Sequence, residues 1–147
     1  MRIEDLTPDH IRRIKPRPQH QGMQQLQEPE NPAWFSGTAW ACIDENEEVF
    51  AIVGMIALDN HGRYRAWSIF CENIGVRRLM FAARNIRRFI ERDGDYRRME
   101  AMSVTDAEDE LFWMRYVLRL KVEGRMRSWL PDGSDVYLFS RVKGRDD

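Results

Sequence analysis

A chain of 147 residues with 43% hydrophobic and 32% charged side chains has the balance of one ordinary folded domain, which excludes fibrous and disordered classes. The formal net charge of −1 gives no overall attraction to nucleic acid or to an anionic membrane surface. The longest apolar run, residues 49–58, falls well short of the about 20 residues that span a bilayer. The start, Met1-Arg2-Ile3-Glu4-Asp5-Leu6, lacks the apolar core of a secretory signal, so a cytosolic (cytoplasmic) protein without a membrane partner is expected.

The first helix is expected to begin with Thr7 as N-cap and Pro8 at its first position, and to stop before Pro16. Ile3 marks a short first strand. Residues 21–28 can make one more short helix, with Met23 and Leu26 on a shared side. Residues 37–43 and 49–58 read as a β hairpin around the polar turn at 44–48, and 65–71 as a further strand after the turn Asp59-Asn60-His61-Gly62.

Residues 75–92 carry the strongest helical pattern. Val76, Leu79, Met80, Ala83, Ile86 and Ile90 recur at three- and four-residue steps, with Arg77, Arg84 and Arg88 opposite. Gly94 is expected to end this helix as a left-handed cap. Residues 99–104 alternate like a strand. Thr105 or Asp106 then caps a second helix running to about Arg119, with acidic residues in its first turns. Strands at 121–129 and 137–142, joined by Pro131-Asp132-Gly133-Ser134, close the chain. The order predicts an α/β (α+β) fold in a single domain over residues 1–147. It is a twisted mixed sheet with helices on both faces and a central parallel βαβ unit.

Cys42 and Cys71 each sit in an apolar run and are expected as buried free thiols rather than a disulfide. His10, His20 and His61 stand at no metal-ligand spacing, so no metal site is expected. Only Lys15, Lys121 and Lys143 of the 23 basic residues are lysine, and arginine favours bidentate contacts with carboxylate or phosphate.

The element order, with Arg65-Ala66-Trp67-Ser68-Ile69-Phe70, Arg97-Arg98-Met99-Glu100-Ala101 and the run from Trp113 to Gly124, resembles the GCN5-related N-acetyltransferase (GNAT) superfamily. Within it the look is closest to GNAT-like proteins encoded by tailed bacteriophages, including internal virion proteins. The likeness covers roughly residues 40–142. It implies an N-acyltransferase that moves an acetyl group from acetyl-CoA to an unknown amine acceptor. The pantetheine arm would pair with main-chain groups of Ile69, Phe70 and Cys71. The pyrophosphate would rest on the helix start at Asn73, Gly75 and Val76, with Arg77 and Arg78 as phosphate partners.

The loop departs from the family's Gln/Arg-x-x-Gly-x-Gly/Ala. Only Gly75 answers it, and Glu72 brings a negative charge toward the diphosphate. The family's catalytic tyrosine falls at Arg115. Tyr116, one residue on and about 100° around an ideal helix, is the candidate acid. Arg119 replaces the family's helix-ending glycine. Glu72 and Glu100 are the candidate general bases, a role that needs a pKa raised toward the working pH. An eroded loop and a displaced tyrosine leave an alternative: a non-catalytic phage virion or morphogenesis protein that binds a phage or host protein. Trp34-Phe35 is the aromatic pair least expected in a core. A nucleic-acid face on the arginines of 77–98 is disfavoured by the near-neutral charge and the lack of interleaved aromatics.

Overall fold

The structure is a computed structural model and describes residues 1–145. Its strands are β1 (Arg2–Asp5), β2 (Ala39–Ile43), β3 (Val49–Ala57), β4 (Arg63–Phe70), β5 (Arg98–Val104), β6 (Lys121–Met126) and β7 (Val136–Val142). Its helices are α1 (Pro8–Arg13), α2 (Gln24–Gln27), α3 (Gly75–Arg88) and α4 (Glu108–Phe112). One mixed sheet of seven strands has the order β1-β2-β3-β4-β5-β7-β6. The expected α/β class and the central parallel pair are both present. Two compact units divide the chain: Met1–Ala57 with Ala66–Arg84, and Leu58–Arg65 with the residues from Asn85 onward.

In the first unit, β1, β2 and β3 form an antiparallel ladder, with Ile3 opposite Cys42 and Ala41 opposite Ile52. Phe50, Ala51 and Ile52 are fully enclosed, as is Ile43, because a strand buried on both faces reads as a continuous apolar run. The start of α1 follows the sequence closely. The Thr7 hydroxyl accepts from His10 N, and Thr7 N donates to His10 Nδ1 at 3.1 Å, a reciprocal cap in which histidine takes the usual Glu/Gln place. Trp34 overturns the expectation that it avoids the core: it is 7% exposed, stands edge-on to Trp67 at 6.3 Å, and donates its indole N–H to Glu28 O. Trp67 in turn lies on Gly54, where a Cβ would come within 2.7 Å of the indole ring. Cys42 and Cys71 are buried free thiols, as expected.

In the second unit, β5 pairs with β7 along its whole length and β6 adds beyond β7. Strand β4 starts two residues earlier than the sequence suggested. Gly62 turns at φ +88°, and its carbonyl accepts from both Arg97 N and Arg98 N, which draws Arg63 into the ladder. Three register pairs, Arg63↔Arg98, Tyr64↔Met99 and Arg65↔Glu100, make the parallel contact.

Three local expectations fail here. Gly94 is extended (φ −72°, ψ 137°) rather than left-handed; glycine is needed because a Cβ would meet Phe89 O at 2.7 Å. The α3 helix ends instead in a wide π-helical turn over Phe89–Asp93. The N-cap of α4 is Ala107, without a side-chain bond, so neither Thr105 nor Asp106 caps it. Strand β6 ends at Met126 because Ser128 takes φ +52° and its N–H is held by Asp135.

Candidate functional site

The turn from β4 into α3 is the candidate cofactor site, and its geometry follows from a short chain of local causes. Four residues join the elements, and two positions nearby are left-handed: Asn73 at φ +53° and Gly75 at φ +76°. Asparagine and glycine are the residue types that tolerate this region. A Cβ on Gly75 would meet nothing within 4 Å, so the space in front of it is open. Val76 is 73% exposed, and the Arg77 side chain is 79% exposed beside Glu45 at 3.2 Å. A surface-open helix start with an exposed arginine next to it suits a diphosphate.

Arg78 does not share that freedom. Its Nε donates to Ile74 O at 2.8 Å and its Nη2 to Asn73 O at 2.9 Å, while Nη1 reaches Asp44 Oδ2 at 3.4 Å. Asp44 is itself fixed by accepting from Asn46 N and Glu48 N. The guanidinium also covers the Phe50 ring. Arg78 therefore holds the loop's shape from within, and Arg77 is the phosphate candidate of the two.

The main chain of residues 69–71 departs from expectation. Cys71 N donates to Phe50 O on β3 at 3.0 Å. Main-chain groups alternate between the two edges of a strand, so Ile69 also faces β3. Phe70 faces the opposite edge, but that edge is taken. Its carbonyl accepts from Arg17 N at 2.9 Å, its N–H donates to His20 Nδ1 at 2.9 Å, and Glu72 N donates to Lys15 O at 2.9 Å. By the same alternation, Ala66 and Ser68 turn their main-chain groups to the edge away from β3, and the sequence reading missed them. It also missed Arg17 and His20. The prolines at 16 and 18, which favour extended backbone, were the one available sign of a strand-like segment there.

The remaining candidates lie apart in character. Glu100 is 3% exposed and held by Arg63 (2.7 and 3.3 Å) and Arg98 (2.9 Å). The Arg63 hydrogen bonds, with Arg98 assisting, keep its carboxyl below the ordinary range. A general base needs the opposite shift, so Glu100 is an ion-pair centre by its surroundings. Arg98 also grips Glu123, whose carboxyl is lowered to about 2 by Arg98 first and the Ser140 hydroxyl second. Glu72 is exposed at the β4–α3 turn. Tyr116 is 64% exposed on the π-helical turn Trp113–Val117 that prolongs α4, with its ring 5.1 Å from Phe112. Arg119 stands at φ +57°, the left-handed conformation for which the family uses glycine. Among the described residues, no group of three His, Cys, Asp or Glu could hold a metal ion. No helix among them is long and apolar enough to cross a membrane.

No protein-family model matches the chain, and no curated protein matches it in sequence. Solved structures do. A phosphinothricin N-acetyltransferase structure matches with a TM-score of 0.72 at 12% identity, over 98% of this chain and 99% of that one. The spermidine/spermine N-acetyltransferase SpeG from Vibrio cholerae gives 0.71 at 10% identity, over 96% and 91%. The ribosomal-protein-S5-alanine acetyltransferase from Vibrio fischeri gives 0.66 at 13% identity, over 97% and 92%. Identities this low speak to backbone architecture alone, and the architecture is that of the GCN5-related N-acetyltransferases.

Proposed function

We propose that the protein is an N-acyltransferase that takes the acetyl group of acetyl-CoA to an amine. The observation that carries this reading is the open first turn of α3, with Gly75 unobstructed and Arg77 exposed beside it, directly after β4 of an acetyltransferase fold. Acetyl-CoA would enter as co-substrate, supplying the thioester that the amine attacks directly. The diphosphate end fits the residues present: the N–H groups at Gly75 and Val76, in the first turn of α3 where no preceding helical carbonyl pairs them, and the Arg77 guanidinium offer positive potential. Glu72 offsets part of it. The pantetheine end fits Ala66 and Ser68, whose main chain faces away from β3, and meets Phe70 only once its present partners leave.

Of the catalytic candidates, Tyr116 has a phenol open to solvent and can return a proton to a departing thiolate. Glu72 is the accessible carboxylate for the incoming ammonium. Glu100 is left out, because two arginines hold its charge. The occupied edge at Phe70 favours the second reading, a non-catalytic scaffold that binds a phage or host protein.

Calorimetric titration with acetyl-CoA separates the two. Micromolar binding that Gly75→Trp abolishes and Arg77→Ala weakens about tenfold, the loss of one charge-assisted contact, supports the enzyme. A folded protein that gives no heat at millimolar ligand rejects it.

A further inference from the structure

Residues 15–17 lie along the edge of β4 as a short added strand would, and the helical turn Pro18–His20 then brings the His20 ring to the same edge. Lys15 O, Arg17 N and His20 Nδ1 meet Glu72 N, Phe70 O and Phe70 N, and Pro16 bridges Cys71 in antiparallel sense. A Phe70 N–H has one proton to donate, so it cannot bond His20 and a ligand carbonyl together in full strength. Resting on the acyltransferase reading above, we propose that residues 15–20 form an autoinhibitory strap. It must leave the Phe70 edge before acyl-pantetheine can pair along β4, so acetyl-CoA binding and strap release are coupled.

The segment is built for that behaviour. Ile14 at one end is 4% exposed and His20 at the other is 8% exposed, while Lys15, Pro18 and Gln19 between them are exposed. The span is thus tied at two buried points; its middle meets β4 through main-chain bonds, and its side-chain bonds, Arg17 to Gln19 and Gln21 to Pro16 O, are exposed and local. Such a segment opens locally at much lower cost than the core. Pro18 opens the helical turn Pro18–His20 and disfavours a helical backbone at the residue before it, so Arg17 sits extended at φ −62°, ψ 156°. The position is therefore prepared for strand-like pairing before any partner arrives. Past His20, Gly22 is exposed with nothing within 4 Å of a built Cβ, which leaves room for the released segment to turn.

The tautomer of His20 follows from the same contact. A main-chain N–H only donates, so Nδ1 accepts and carries no proton while the strap is closed. The measured affinity for acetyl-CoA is the intrinsic affinity reduced by the fraction of molecules with the strap open.

The φ of Arg17 supplies a clean test. Arg17→Pro fits the existing backbone and deletes both the side chain and the N–H that Phe70 O accepts, whereas Arg17→Ala removes the side chain and keeps that bond, so the difference between the two isolates the N–H. Calorimetry with acetyl-CoA should show Arg17→Pro binding about fivefold tighter, one net hydrogen bond's worth, and Arg17→Ala within twofold of wild type. Amide hydrogen exchange on the unaltered protein gives a second readout. Saturating acetyl-CoA should speed exchange at the amides of Arg17 and Glu72, the reverse of ordinary ligand protection. If Arg17→Pro binds no tighter, or those two amides become slower with ligand, the strap is overturned and the acyltransferase reading stands. If no variant and no wild type binds, both are overturned. The exchange measurement needs no substitution, so it decides the matter even where Arg17→Pro does not fold.

Discussion

Arg119 holds a left-handed backbone, φ +57°, at the end of the last helical turn, between Leu118 N bonding Trp113 O and Leu120 N bonding Met114 O. A side chain there costs roughly 1–2 kcal/mol, and glycine's greater chain entropy gives back about half of the relief. Arg119→Gly should therefore stabilise the protein by about 0.5 kcal/mol, read as a higher urea midpoint at unchanged slope. Glu123 shows the same dependence on surroundings in its charge. Its folded carboxyl sits at about 2, below the ordinary 4.5, so its contribution to stability is complete above pH 4.5 and is lost as pH falls from there toward 2. Wild type should lose stability over that window more steeply than Glu123→Gln, followed by circular dichroism in an acid titration. Equal slopes would detach Glu123 from the Arg98 contact. The residue scale is also where the sequence was least legible. Arg98 stands two positions from Glu100, on the same face of a strand, but nothing around Glu100 announces the second arginine, because Arg63 reaches it from a strand 37 positions earlier.

At the scale of elements the pattern was far more legible. The order of strands and helices and the capped start of α1 were readable, because each rests on contacts a few residues apart; of the stripe expected on α3, Ile86 and Ile90 are buried, but Val76 and Met80 are exposed and Ala82 is buried instead. The ends of elements were less so. Gly94 looked like a left-handed cap, yet its backbone is extended and what excludes a side chain is Phe89, whose carbonyl a Cβ would approach to 2.7 Å and whose ring to 2.9 Å. Gly94→Ala should thus cost about 2 kcal/mol by crowding the π-helical turn, a typical overpacking penalty. A left-handed cap glycine would lose about half as much. Thermal melts of Gly94→Ala, and of the double change with Phe89→Ala, distinguish the causes: removing the ring should recover part of the loss. No recovery would place the clash wholly on the main chain.

For the whole molecule, the expectation of a single domain over residues 1–147 is testable by setting its two thiols, both in the first compact unit, against its tryptophans, which lie in both units. Both are buried, and burial pushes Cys42 up to about 12 and Cys71 up from its ordinary value. A thiol reagent at pH 8 needs the thiolate, so neither should label in native buffer. Both should label together as urea unfolds the chain, at the midpoint that tryptophan fluorescence reports. Fast labelling of Cys71 alone would show the β4 end opening separately, and two resolved transitions would reject one cooperative domain.

By itself the sequence determined the alternation of strands and helices and the apolar faces that must be buried. It also determined the crossover that makes one strand pair parallel, since period, turn chemistry and chain handedness are local properties. Only the tertiary structure decided that the Phe70 edge of β4 is occupied, that Arg78 shapes the loop while Arg77 faces solvent, and that the Glu100 carboxylate is held by two arginines. Those outcomes depend on hydrogen bonds between segments distant in the chain, as between Phe70 and His20, and spacing along a sequence carries no record of such partners.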